Sequence, residues 1–400
     1  MNTEKLWTKD FVIVSVINFI LLLIHLLLMV TIASYAIGKF HASTSTAGLV
    51  AGIIIIGALI GRLGAGRIIE DIGSKKILTV GVIFFIITSA LYFGAINLPF
   101  LLINRLLHGI ALGVASTATG TIVAQIIPDE RRGEGIGYYS ISAILATAVG
   151  PFLGILLSQQ ANFKIIFIFN LILGVICFAI SLIVNEPARR SCQQDQTSAV
   201  RSFKISTFLE FKAIPISIVS LIIGFSYSGV ITFMSLYSKQ INLVEAASLF
   251  FLVSAIINLV SRPFSGRLFD VKGANMVVYP CLSIFAIGML LYSQAHHGIT
   301  LLLASALMGL GFGNYISCSQ AIAIKLTVPH RFGLAISTYF IFYDLGVGVG
   351  PFLLGFLVPF TGYRGLYLMM VIVILAGIAF YHFLHGRNVG TAPPKLGNLC

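Results

Sequence analysis

The chain alternates long apolar runs with short polar breaks. Apolar stretches bounded by charged residues, glycine or proline fall near positions 11–37, 46–69, 76–96, 99–127, 134–158, 163–184, 212–238, 244–269, 275–295, 299–326, 332–358 and 363–386. A helix rising 1.5 Å per residue needs about 20 apolar residues to cross a ~30 Å hydrocarbon layer, and these runs have that length. The pattern predicts twelve membrane-spanning helices. The first run is too long for the core of a secretion signal and no small-residue cleavage site closes it, so it is read as span 1.

One break is long. Asn185 to Glu210 carries Pro187, Arg189, Arg190 and a Ser/Gln/Asp/Thr-rich stretch, and it separates six spans from six. The expected organisation is a first bundle over 1–184, a linker over 185–211, a second bundle over 212–386 and a tail over 387–400. Phe203 to Phe211 alternates aromatic and polar residues; an interfacial amphipathic segment and a solvated linker both fit.

Shifting the second half by 200 positions lays it on the first. Arg62 meets Arg262, Gly66 meets Gly266, Arg67 meets Arg267, Glu70 meets Asp270 and Gly73 meets Gly273; Gly109, Gly113 and Gly150-Pro151-Phe152-Leu153 find Gly309, Gly313 and Gly350-Pro351-Phe352-Leu353. Two parallel six-span repeats related by an axis along the membrane normal can rock about a central site. A rigid duplicated channel is the alternative, but no ring of charge or filter loop is visible.

Composition agrees with a membrane chain: 58% hydrophobic and only 10% charged, with a mean hydropathy of +1.01. Soluble domains carry about a quarter charged residues. The net charge of +12 then belongs to membrane-flanking loops and not to a nucleic-acid patch, so no nucleic-acid partner is expected. Seventeen of the 25 lysines and arginines fall on the side shared by both termini, against Lys39, Lys164, Lys239 and Arg364 on the other; Arg62, Arg105, Arg262 and Lys325 lie within or at the ends of spans. The positive-inside rule puts both termini in the cytoplasm, for a multi-pass protein of the cytoplasmic membrane. The five cysteines are scattered and form no disulfide framework. No P-loop or metal-ligand cluster occurs, and His296-His297 in an external loop is a weak signal. The expected drive is a proton gradient with no cofactor, in a monomer.

Between spans 2 and 3 the chain reads Gly66-Arg67-Ile68-Ile69-Glu70-Asp71-Ile72-Gly73-Ser74-Lys75-Lys76. This resembles the signature loop of the major facilitator superfamily, with Asp71 and Ser74 departing from its usual basic residues. The resemblance implies a latch between halves built on Gly66, Glu70, Asp71, Gly73, Lys75 and Lys76, repeated at Gly266, Arg267 and Asp270. Span 4 carries Arg105-Leu106-Leu107-His108-Gly109, similar to the Arg-x-x-Gln-Gly element of proton-coupled members. Span 5 carries Gly150-Pro151 and Gly154, and span 11 carries Gly346, Gly348, Gly350-Pro351 and Gly355. These resemble the Gly-Pro motif of the twelve-span drug and metabolite proton antiporters, although ordinary helix packing also uses such glycines. The implied fold is an all-α membrane protein of two six-helix bundles, and the implied role is proton-coupled export of a small amphiphilic organic molecule. Proton-symport import and a non-transporting receptor or lipid-handling scaffold are the alternatives. No enzymatic activity is expected.

Ionisable groups inside a bilayer are costly and therefore functional candidates. Of thirteen acids only Asp344 is deep, about 16 Å along its helix from Gly333. His25, Arg105 and His108 come out at similar depth, about 16–21 Å from the cytoplasmic side. Asp344 is the preferred coupling group, with Arg105 binding an anionic part of the substrate or modulating Asp344, and His25 or His108 standing in for the carboxylate that family members often place in span 1 or 4. A permanently ionised Asp344–Arg105 pair is the structural alternative. Candidate cavity residues are Asn18, Tyr227, Asn258, Asn314, Tyr315, Tyr339 and Tyr343, with Asn170 and Gln320 also considered; most are expected to serve helix-to-helix hydrogen bonds.

Overall fold

The computed structural model describes residues 6–128, 132–159, 163–185, 209–328 and 331–388, and among them it is helical throughout. Helices α1 (Lys9–Phe40), α2 (Thr44–Ile72), α3 (Ser74–Leu91), α4 (Leu98–Ile126), α5 (Arg132–Ser158) and α6 (Phe163–Ile183) form the first half. The second half contains α7 (Ile214–Gln240), α8 (Val244–Lys272), α9 (Asn275–Ser293) and α10 (Gly298–Lys325), the last with a π-helical turn at Gly309–Gly313.

The final helical run, Phe332–Leu384, is 53 residues long. At 1.5 Å per residue that is about 80 Å, more than twice the bilayer core. Gly362 breaks it, at φ 64° and ψ 176°, a conformation that glycine adopts without steric cost. The run is thus two spans, α11 (332–361) and α12 (363–384), and the described chain crosses the membrane twelve times. The linker and tail expected over 185–211 and 387–400 fall largely outside the described residues.

Helix starts and junctions follow local chemistry. Thr8, Ser43 and Asn97 cap α1, α2 and α4 by accepting from the backbone N–H three residues on, which satisfies donors that have no partner in the helix. Gly73 (φ 101°) and Gly273 (φ 85°) make the tight α2–α3 and α8–α9 junctions at matching repeat positions.

Each half has its own apolar core, and Met29, Val30, Ile54 and Ile155 of the first half join the core of the second. In lipid the hydrophobic effect does not drive helices together, so small residues and hydrogen bonds set the contacts. Between the halves these lie at the end opposite α1's start. A Cβ at Gly48 would overlap the Pro351 carbonyl, and one at Gly52 the Gly348 carbonyl. Thr44 Oγ1 donates to the Gly355 carbonyl at 2.6 Å, Ser45 Oγ to that of Phe352 at 3.2 Å, and Ser34 Oγ to Ser235 Oγ at 3.2 Å. At the other end the halves separate: among the described residues a Cβ at Gly64, Gly66 or Gly266 would meet open space.

Gly52→Val should therefore prise α2 from α11. In a cysteine-free background carrying Ser34→Cys, it is expected to raise labelling by a membrane-impermeant maleimide added from the closed end; unchanged labelling would show that this contact does not hold the seal.

Candidate functional site

A cavity of about 300 Å³ lies between the halves, walled by α1, α2, α4, α5, α7 and α11. Most of its wall is aliphatic or aromatic, including Leu22, Met29, Ile55, Ile231 and Phe340. Its polar content is concentrated in His25 of α1, Arg62 of α2, Thr147 of α5 and Tyr343 and Asp344 of α11.

Arg62 Nη1 donates to Asp344 Oδ2 at 2.9 Å, an ion pair that crosses from one half to the other. The side chains are 42% and 21% exposed, so the pair is partly open to the cavity and not sealed in a core. His25 lines the same cavity, and its buried Nδ1 has no hydrogen-bond partner among the described residues.

Two of the four groups expected at mid-depth lie elsewhere. Arg105 is fully buried inside the first half. Its Nε donates to the Val50 carbonyl at 3.0 Å, Nη2 to the Ala51 carbonyl at 3.1 Å and Nη1 to Tyr92 Oη at 3.4 Å. The alternative of a permanent Asp344–Arg105 pair, and a direct action of Arg105 on Asp344, are therefore corrected: the partner of Asp344 is Arg62. The repeat shows what Arg105 does. Its counterpart Ser305 donates to the Phe250 carbonyl, the counterpart of Val50. Position 105/305 is an interhelical staple in both halves, and an arginine in one of them reaches a second carbonyl.

His108 is likewise sealed. Its Nδ1 shares a 2.9 Å hydrogen bond with Thr88 Oγ1, and its ring lies 4.2 Å from that of Phe85. Its nearness in sequence to Arg105 reflects a shared structural network and not a place at the cavity.

Of the cavity candidates, Tyr343 lines this cavity; Asn18, Tyr227, Asn258, Asn314, Tyr315 and Tyr339 contact neighbouring helices instead, and the buried amide of Asn170 has no hydrogen-bond partner among the described residues. Asn18 Nδ2 donates to Ser142 Oγ at 2.8 Å. Tyr339 bonds Ser319 at 2.8 Å just as Tyr139 bonds Thr119 at 3.0 Å, a pair preserved across the repeat. Tyr315 bonds Ser220 at 3.0 Å, and Tyr227 stacks on Phe312 with ring centroids 3.9 Å apart. Asn314 accepts from Ser265 and donates to Ser261, each at 2.7 Å, while Asn258 lies against Gly313.

The latch residues sit at the separated end. Gly73 closes α2 by donating to the Ile69 carbonyl at 3.0 Å, Asp71 and Lys76 are exposed and Lys75 is half-buried; the Glu70 side chain lies outside what is described. Asp270 pairs with Lys325 at 3.4 Å within the second half, so this ion pair does not bridge the halves here as expected of a latch, and Arg267 beside it is exposed. The packing motif is used as glycine motifs are in membranes. Gly150 and Gly154 lie against Leu23 and Leu27 of α1, Gly346 against Leu221 of α7, and Gly350 against Ser228; Pro151 and Pro351 lie within their helices.

Arg62 is the residue that sequence reasoning passed over. The signal was present. Arg62 is ten residues from the end of α2 at Ile72, about 15 Å by the helix rise, the same depth as Asp344. Its repeat counterpart Arg262 also had an informative mate: Asp344 corresponds to Ile144. The inter-half ion pair is thus made once, and the buried Nε of Arg262 has no hydrogen-bond partner among the described residues.

Two matched six-helix bundles, closed at one end around a central cavity whose wall carries an ion pair, have the architecture of a membrane transporter. A model of the Major Facilitator Superfamily matches residues 14–299 and 276–397, and the chain belongs to that superfamily. An MFS-type transporter of Methanocaldococcus jannaschii is 24% identical over 84% of this chain and 88% of its own length. The staphylopine export protein of Staphylococcus aureus is 21% identical over 84% of this chain and 86% of its own. In three dimensions the chain is similar to a bacterial homologue of the human lysosomal transporter Spinster in an inward-facing and unoccupied conformation. The TM-score is 0.81 at 15% identity, covering 99% of this chain and 100% of the other. The protein is a multi-pass membrane transporter.

Hydrogen bonds made by a charged donor contribute about 1.5–3 kcal/mol. Arg105→Ala is accordingly expected to lower the melting temperature in detergent by several degrees, and Arg105→Ser, which copies the second half, by less. A wild-type melting temperature with lost transport would instead assign Arg105 to the transport step.

Proposed function

We propose that the protein exports a small amphiphilic organic molecule from the cytoplasm in exchange for protons, with Asp344 as the proton-carrying group. The observation that supports this most strongly is the Arg62–Asp344 ion pair, which joins α2 to α11 at the wall of the central cavity. With both termini cytoplasmic, as the lysine and arginine bias argues, the cavity opens to the cytoplasm.

In this arrangement the carboxylate is ionised and Arg62 neutralises it. The aliphatic and aromatic wall receives the apolar part of a substrate, and a polar or charged substituent competes for Arg62 or Asp344. That competition weakens the tie between α2 and α11, and the closed end releases. Facing outward, Asp344 takes a proton from the more acidic side as the substrate leaves. Protonation removes the charge that Arg62 had countered, so the empty carrier returns without reforming the pair until the proton departs to the cytoplasm. His25 passes that proton in this reading, which its unpartnered ring nitrogen at the same cavity supports. The role of the Staphylococcus aureus relative in export favours this direction.

A substrate found by screening an efflux-deficient host against toxic compounds and metabolites permits the direct test. Inside-out vesicles with an acidic interior should accumulate it. Asp344→Asn and Arg62→Gln should each cut the pH-driven rate at least about tenfold, the scale of a charge-assisted hydrogen bond, with protein level and melting temperature retained. Uptake into right-side-out vesicles under an inward proton gradient, without accumulation in inside-out ones, would overturn export in favour of symport. Unchanged flux in Asp344→Asn would remove the acid from the coupling step.

A further inference from the structure

At the closed end of the first half, away from the central cavity, a second cavity of about 390 Å³ lies among α1, the α3–α4 connection and α6. Tyr35, Lys39, Tyr92, Phe163, Lys164 and Phe167 line it. The transport cycle described above does not use these residues. Only four lysines and arginines occupy the loops at this end of the protein, and two of them converge on this cavity.

Lys39 Nζ donates to the Ala95 carbonyl at 2.7 Å and to Tyr35 Oη at 3.0 Å. An ammonium has three donors, so these contacts hold the side chain in place and leave one N–H for a ligand. The Tyr35 ring meets Phe163 at 5.2 Å and Phe167 at 5.1 Å, and Phe167 stacks on Tyr92 at 5.3 Å. The floor is aromatic, and the two lysines that line the cavity are exposed.

The repeat shows that packing alone does not require such an opening. Lys39, Tyr92, Phe163, Lys164 and Phe167 correspond to Lys239, Tyr292, Tyr363, Arg364 and Tyr367. There Arg364 turns inward, donating to the Ala295 carbonyl at 3.1 Å and lying 3.1–3.2 Å from the ring nitrogens of His296. Tyr237, which replaces Ile37, fills the space with ring contacts at 5.1 Å to both Tyr292 and Tyr367. In the second half Tyr237, Tyr292 and Tyr367 pack on one another at the equivalent place, whereas in the first half Lys39 and Lys164 line an open cavity.

We propose that this cavity binds the phosphate headgroup of an anionic phospholipid in the leaflet at the closed end. Two lysines at a membrane surface match a phosphate diester with an anionic or polar substituent, and tyrosine and phenylalanine suit the headgroup level of the interface. Phe93, which also lines the cavity, is 43% exposed, and along α6 Ile165, Ile168 and Ile172 are 39%, 48% and 53% exposed. They supply an apolar wall for acyl chains, which distinguishes a lipid from a free organic phosphate. A lipid seated between α1 and α6 would brace the outer end of α1, the helix whose Ser34 meets Ser235 across the closed end.

The test uses the full-length protein in detergent, titrated with phosphatidylglycerol and read by native mass spectrometry and melting temperature. Phosphatidylcholine and soluble glycerol phosphate are the comparison ligands. Wild type should retain one tightly held phosphatidylglycerol and melt higher with it than with phosphatidylcholine. Lys39→Gln combined with Lys164→Gln should reduce that occupancy at least about tenfold, whereas Lys239→Gln, the counterpart in the filled half, should leave it unchanged. Lys164→Gln alone changes an exposed side chain and should weaken binding in the same direction, which guards against misfolding of the double variant. Equal phosphatidylglycerol retention in wild type and the double variant would overturn the site. Stabilisation by glycerol phosphate equal to that by the lipid would overturn the lipid assignment.

Discussion

A charge in hydrocarbon must find a counter-charge or reach water, and the structure turns on how one pair meets that requirement. Asp344 and Arg62 satisfy each other across the boundary between two otherwise separately packed bundles. Because each partner belongs to a different half, neutralising either one changes the relation between the halves, and not only the interior of one of them. A proton or a ligand charge at this place therefore has mechanical leverage that an equally buried pair within one bundle lacks.

The glycine contacts make that leverage usable. At the closed end the backbones of α2 and α11 approach so closely that Gly48, Gly52 and Gly355 admit no side chain. Such contacts depend on short-range packing and hydrogen bonding, which weaken steeply with separation. An ion pair holding the same two helices nearer mid-membrane keeps them within range of one another. At the open end a Cβ at Gly66 or Gly266 would meet no neighbouring atom. One helix pair thus carries both the seal and the charge that controls it in the proposed cycle.

The architecture was largely legible in the sequence, because bilayer thickness dictates span length and a 200-residue shift superimposes the two halves. Gly362 separating the last two spans was visible only as a glycine between two apolar runs. The site was legible in part. Asp344 and His25 stood out by depth and do share the cavity, but depth along a helix does not say which way a side chain points. Arg105 and His108 share the depth of Asp344 and face inward to α2 and α3 instead. Arg62 escaped notice because it sits near a signature loop rich in basic residues, where a further arginine looks topological. Comparing partners across the repeat separates these cases: Ser305 performs the bond of Arg105 with no charge, while no acid stands at Ile144 for Arg262.

The central claim is that the ionised Asp344–Arg62 pair holds the closed end shut, so that a neutral Asp344 lets that end open as well as close. The direct measurement is the distance between spin labels at Ser43→Cys and Phe356→Cys in a cysteine-free protein in lipid nanodiscs, followed as pH falls. The account predicts that a longer-distance population grows on acidification and that Asp344→Asn shows that population already at neutral pH. A single short distance at every pH, in both wild type and Asp344→Asn, would contradict it.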